Sequence, residues 1–259
     1  LLGMLRQFCL WGLCLLICWS PFACTPSKAP TLVVATAANM QFAMEELVAA
    51  FSTQTQLPCE IVVGSSGKLT AQIQAGAPFD VFVSADLRYP ERLQQAGLTE
   101  GPAKVYAYGQ LVLWSLTPYV APQLSDLSSP DIKHIAVANP QTAPYGQAAQ
   151  EVLQQAGLLD SVQHKLVYGE SIAQTNQFII SGAAELGFTA LSVVQSEVMQ
   201  DQGEWQIVPT ELYQPIEQGV VVISQDEANT AGQAFVSFLL SDEAKVILDK
   251  FGYLVHVKY

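Results

Sequence analysis

Beyond its first 24 residues the chain has a single cysteine, Cys59; Cys9, Cys14, Cys18 and Cys24 all fall at the N-terminus. No intrachain disulfide can staple the remainder, so that part must be held by its core. Positive charge is scarce as well, with 11 Lys+Arg against 23 Asp+Glu in 259 residues. Nine of the basic residues lie beyond residue 30 and every acid lies beyond residue 40, so the net charge there is 9 − 23 = −14. That balance excludes the basic patches by which proteins hold nucleic acid or anionic membrane surfaces. His134, His164 and His256 are scattered without metal-ligand spacing. There is no Gly-x-Ser-x-Gly elbow, and Glu45, Glu46, Asp80 and Asp86 form no recognisable general-acid pair. Low-complexity segments and sequence repeats are also missing.

What is present begins with a leader. Arg6 precedes an apolar run over 8–18 that ends near Ser20-Pro21. A charged n-region and a short h-region predict a secretory signal over 1–24, too short for a spanning helix. Cys24 stands where a lipid-bearing cysteine would, but Pro21 and Phe22 fit a lipobox poorly. Cleavage near Ala23 or Ala29 without lipid therefore stands beside a lipid anchor at Cys24. Either implies an extracytoplasmic location.

The rest alternates strand and helix. Apolar runs at 32–35, 61–63 and 79–84 read as buried parallel strands. Asn39 reads as an N-cap for Met40, Ala43, Met44, Leu47, Val48 and Phe51 at helical spacing. Helices are expected from Leu69 to a Gly76 cap and from Pro90 to Gly97. A second unit follows, with strands at 110–114, 135–138, 166–168 and 186–190 and helices up to Gly157 and through Phe178 to Ile180. A strand at 219–224 and two closing helices complete the chain, the last capped by Ser241. The order predicts an α/β fold in two lobes, 30–109 with 219–259 and 110–218, joined by hinge strands near 108–114 and 218–224.

Ligands of open α/β sheets bind at the carboxyl ends of strands. Four strand-to-helix corners become candidates: Ala37-Ala38-Asn39, Ser65-Ser66-Gly67, Pro144-Tyr145-Gly146 and Ser171-Ile172-Ala173. Two come from each half, as a ligand clamped between lobes requires. The corner Gly64-Ser-Ser-Gly-Lys-Leu69 shows the chemistry. A helix start leaves N–H groups without partners and draws anions, and small residues let an anion approach. In so acidic a chain, dipoles and hydrogen bonds rather than Lys or Arg would hold it.

Each residue has a plainer reading. Ser66 could cap only its own helix, and Tyr145 could be a packing aromatic. Ile172 has no side-chain chemistry for an anion, so only its backbone recommends it. Lys68 after Gly67 suggests a phosphate loop, but the spacing is wrong and no Ser or Thr follows the Lys.

Five blocks carry a likeness to a known family. Thr36-Ala-Ala-Asn39, Gly64-Ser-Ser-Gly67, Gly76-Ala-Pro-Phe-Asp-Val-Phe-Val-Ser-Ala-Asp86, Asn139-Pro-x-x-Ala-Pro-Tyr-Gly146 and Glu185-Leu-Gly-Phe188 stand in order. The chain over 31–259 resembles the periplasmic molybdate-binding proteins of ABC importers. The resemblance implies a type II periplasmic binding fold that closes on a tetrahedral oxyanion, molybdate or tungstate, and delivers it to a membrane permease. It implies no cofactor and no enzymatic activity. By motif, the contacts would be Ala38, Asn39 and Ser66 from one lobe and Tyr145 and Ile172 from the other. Many relatives carry Ser or Thr where Ala38 stands, so one hydroxyl is missing here. One branch brings a Tyr hydroxyl from the strand at 186–190, where this chain has Ala190; it is more similar to the branch that uses Tyr145. A binding protein for sulfate, phosphate or an organic acid on the same fold is the first alternative. A secreted phosphate-ester enzyme is the second, though its metal set or activated nucleophile is not found.

Overall fold

The computed structural model describes residues 31–116 and 122–255. The leader, Cys24 and His256 lie outside the described residues. No described helix is long and apolar enough to cross a membrane.

Strands β1 (Leu32–Ala37), β2 (Cys59–Gly64), β3 (Val81–Ser84) and β4 (Lys104–Gly109) alternate with helices α1 (Gln41–Thr55), α2 (Ser66–Gln74) and α3 (Arg88–Gln95). Strand β5 (Leu111–Ser115) follows β4 after Gln110 alone. Next come β6 (Ile135–Ala138), α4 (Pro144–Gln155), α5 (Leu159–Val162), β7 (Leu166–Gly169), α6 (Ile172–Ile180), β8 (Leu186–Ala190), α7 (Leu191–Val194) and β9 (Glu204–Ile207). The chain ends in β10 (Ile216–Val222), α8 (Thr230–Leu239) and α9 (Asp242–Lys250).

The strands form two five-stranded sheets, ordered β2-β1-β3-β10-β4 and β7-β6-β8-β5-β9. Both follow one plan. A parallel trio (β2-β1-β3, β7-β6-β8) is joined by an antiparallel strand, β10 or β5. The chain passes between sheets at Gln110 and returns over 208–215, ahead of β10. Strand β10, expected from sequence to help form a crossing near 218–224, instead runs within the first sheet between β3 and β4. Its Val220, Val221 and Val222 are buried, as an interior strand requires.

Register positions the corners. Ala37 at the end of β1 pairs with Gly64 at the end of β2, and Ala138 of β6 pairs with Gly169 of β7. Each sheet therefore presents two chain exits side by side at the carboxyl edge of its parallel strands. Both sheets are anchored by apolar cores. Met44, Leu47, Phe51, Phe235 and Leu248 fill one side of the first sheet, and Val137, Val152, Leu153 and Phe188 lie in that of the second. Phe51 meets Phe235 edge-on, with ring centroids 5.2 Å apart.

Candidate functional site

All four corners converge on one small cavity between the sheets. Ala38, Asn39, Ser66, Tyr145 and Ile172, the five residues singled out from sequence, all line it and all are buried. The cavity volume is about 10 Å³, close to the space that holds one water. Among the described residues lining it there is no Lys, Arg or His.

The donors are main-chain groups at helix starts. Ser66 opens α2, Ile172 opens α6, and Tyr145 follows Pro144 in the first turn of α4. Ala38 and Asn39 open a single 3-10 turn, Ala38–Met40, that runs into α1. In each case the N–H lies too near the start to find an acceptor within its own helix. The helix dipoles add partial positive charge at the same place. Pro144 suits its position because the first helical residue has no N–H to satisfy. Gly146 is required by space: a Cβ there would stand 2.0 Å from the Ala138 carbonyl oxygen. Only glycine lets α4 start so close to the end of β6.

The two serines divide the work at the second corner. Ser65 is the cap of α2, its Oγ accepting from the Lys68 N–H at 3.4 Å and donating to Glu170 Oε1 at 3.3 Å. Ser66 Oγ accepts from the Ala85 N–H at 3.0 Å, which leaves its proton for the cavity. The cap of the corner is therefore Ser65, not Ser66.

Asn39 does not cap α1 as its sequence position suggested. The helix begins two residues later, after Met40, with no side-chain cap. The Asn39 amide instead donates to Gln218 Oε1 and to the Tyr253 hydroxyl, both at 2.9 Å. Its carbonyl accepts from Ser192 Oγ at 2.7 Å and Tyr253 Oη at 3.1 Å. The Asn39 side-chain amide and main-chain carbonyl are thus both engaged within the protein. Tyr145 differs: its hydroxyl is buried without a hydrogen-bond partner, against Gly109, where a Cβ would stand 2.1 Å from the hydroxyl oxygen. Burial, with Tyr253 and Tyr106 nearby, holds the Tyr145 hydroxyl protonated far above the usual tyrosine range.

The cleft mouth is bridged. Gly67 N–H donates to the Thr142 carbonyl at 2.9 Å, and Tyr89 Oη donates to the Gln141 carbonyl at 3.1 Å. Lys68 reaches Glu170 at 3.4 Å on the exposed rim, turned away from the cavity. Asp80 and Asp86 hold backbone, accepting from the Val33 and Tyr89 N–H groups. Burial raises the Asp86 carboxyl above its ordinary range against the pull of Arg88.

Sequence reasoning missed Gln218, Ser192, Tyr253 and Thr142. Gln218 carried a faint signal, a polar residue before Gly219 at the head of the apolar run 220–223. The others are ordinary residues in their local context.

Comparison with known proteins places the chain. Residues 32–254 match the family model for bacterial extracellular solute-binding proteins. The molybdate-binding protein ModA of Azotobacter vinelandii is 42% identical over 229 residues, covering 88% of this chain and 91% of the relative. The ModA protein of Rhodobacter capsulatus is 37% identical, covering 88% of this chain and 90% of the relative. The solved periplasmic molybdate-binding protein of Azotobacter vinelandii superposes with a TM-score of 0.82 at 36% identity, covering 87% of this chain and all of that one. The architecture is thus shared with a relative of known structure, and the chain belongs to the bacterial extracellular solute-binding protein family, in the group that includes the ModA proteins.

Proposed function

We propose that this protein captures molybdate, or the nearly isosteric tungstate, between its two lobes outside the cytoplasm and hands it to an ABC permease. The supporting observation is that Ala38, Asn39, Ser66, Tyr145 and Ile172, each at or beside a helix start, line one cavity with no Lys, Arg or His among the described residues around it. A buried dianion is costly unless its oxygens are hydrogen-bonded. Bonds to an ionised acceptor are the strong kind, and in this reading the main-chain N–H groups of these residues and the Ser66 hydroxyl replace much of the lost hydration. Neutral donors fit any tetrahedral dianion, so selection against sulfate rests on size: the cleft closes well only on the larger ion.

In this reading 1–24 is a leader, and the lobes expected at 30–109 with 219–259 and at 110–218 are drawn with all of β10, from Ile216, in the first. Cys24 takes a lipid, or cleavage near Ala23 or Ala29 releases the chain; mass spectrometry of the exported protein separates the two. The ligand itself is tested by thermal unfolding. Molybdate at about 100 times its dissociation constant adds about 2.7 kcal/mol. For a domain of this size that raises Tm by roughly 5–11 °C. Sulfate at equal concentration leaves Tm unchanged. An equal shift with sulfate, or none with molybdate, defeats the assignment.

A further inference from the structure

We propose that Gln218, which does not line the cavity, is the positioning residue that locks the two anion corners of the first lobe to each other. The inference rests on the oxyanion reading above and extends it to a residue outside the first ring of contacts.

Gln218 is fully buried in β10. Its Nε2 donates to the Ala85 carbonyl at 3.0 Å and to the Ile216 carbonyl at 3.2 Å, while its Oε1 accepts from Asn39 Nδ2 at 2.9 Å. The Ala85 peptide in turn donates its N–H to Ser66 Oγ at 3.0 Å. One unbroken chain therefore runs from the Ser66 hydroxyl through the Ala85 peptide and the Gln218 amide to Asn39. At one end it fixes which lone pair of Ser66 is occupied, and so where the Ser66 proton can point. At the other it holds Asn39, which lines the cavity.

The pairing of β10 with β4 slips opposite Gln218 and Gly219, where β4 carries the extra residue, Tyr106, between Val105 and Ala107. Gly219 is tightly enclosed: a Cβ would stand 2.8 Å from the Asp86 carbonyl oxygen. A side chain at Gly219 would therefore press on the loop that follows β3, next to the Ala85 that Gln218 holds. Both amide hydrogens and the amide oxygen of Gln218 are used, which defines the amide orientation without ambiguity. Ser192, from α7 on the far side of the cleft, completes the frame by donating to the Asn39 carbonyl.

Two measurements test this on Gln218→Leu and on Gln218→Glu, which keeps the length and the oxygen facing Asn39. Circular dichroism and unfolding first confirm that at least one variant folds. In the ligand-free protein, hydrogen exchange at the Ala85 amide should quicken at least about tenfold in the variants, beyond any change in global stability. Unchanged exchange at Ala85 overturns the proposal whatever the ligand. Calorimetric titration with molybdate should then show affinity about 10- to 100-fold weaker, the usual cost of removing a group that orients a direct contact. In a Ser66→Ala background the same substitution should cost at least about threefold less, because part of its effect acts through Ser66. Wild-type affinity in the variants, or losses that simply multiply with Ser66→Ala, overturn the proposal. Faster exchange at Ala85 together with no molybdate binding by the wild type would support the positioning role and defeat the ligand assignment instead.

Discussion

The N–H of Gly67 donates to the carbonyl of Thr142 at 2.9 Å, tying the first turn of α2 to the loop that leads into α4. The two residues flank the carboxyl edges of different sheets, so this bond bridges the cleft. A Cβ on Gly67 would stand 2.9 Å from Thr142 Cα and 3.0 Å from the Tyr89 hydroxyl. The glycine is thus needed for close approach between lobes. Gly67→Ala is expected to hold the cleft ajar, weakening anion binding by about tenfold or more while barely moving the Tm of the free protein. Such a loss is one bond plus a gap in packing, about 1.4 kcal/mol or more. Small-angle scattering with saturating molybdate checks the cause. The variant should stay more extended than the wild type, and equal radii with equal affinities would refute the role.

Ser65 and Ser66 are neighbours with opposite expected phenotypes. Ser66→Ala removes the hydroxyl that can donate to the anion, a bond to a charged group worth about 1.5–3 kcal/mol, or roughly 10- to 100-fold in affinity. Ser65→Ala removes the cap of α2, costing about 1 kcal/mol of stability with affinity nearly intact. Calorimetry and thermal unfolding on both variants give a crossed pattern. The reverse pattern would mean that the cap and the ligand donor have been exchanged.

Lys68 stands next to the anion corner and yet points to Glu170 on the rim, both side chains about half exposed. An exposed pair of this kind contributes about 0–1 kcal/mol. Lys68→Met is therefore expected to change molybdate affinity by less than about fivefold. A loss above about a hundredfold would show the lysine acting as a direct countercharge, and would end the account of a site held by neutral donors.

The corners were legible because they are local. A run of β-branched residues, a small-residue turn and an amphipathic stretch are written within about fifteen residues of one another, and sheet register then aligns their ends. What lies between the corners was not. Asn39 looked like a cap because an Asn before a helix usually is one, whereas its partners Gln218 and Tyr253 are 179 and 214 residues away. Nothing near Asn39 announces a tyrosine from the far end of the chain. The choice between Ser65 and Ser66 was equally hidden. It depends on where α2 starts, and a shift of one residue exchanges their duties.

Glu185 offers a test by pH. Its carboxylate accepts from the His134 and Lys133 N–H groups at 2.8 and 3.1 Å, just ahead of β6. Its slight burial favours the neutral acid, but those backbone donors outweigh this and hold its pKa below the ordinary 4.5. A depressed carboxyl pKa means that the folded state binds the proton less readily than the unfolded chain. The contribution is therefore fully present above 4.5 and is lost as pH falls through the lowered value. Glu185→Gln removes the charge but keeps one oxygen acceptor. The variant is expected to melt below the wild type at pH 7, with the gap closing as the pH is taken well under 4.5. Because the group is largely exposed, the gap should be small and should narrow in high salt. A gap that stays constant from neutral to acid pH would show that Glu185 acts through shape alone, without its charge.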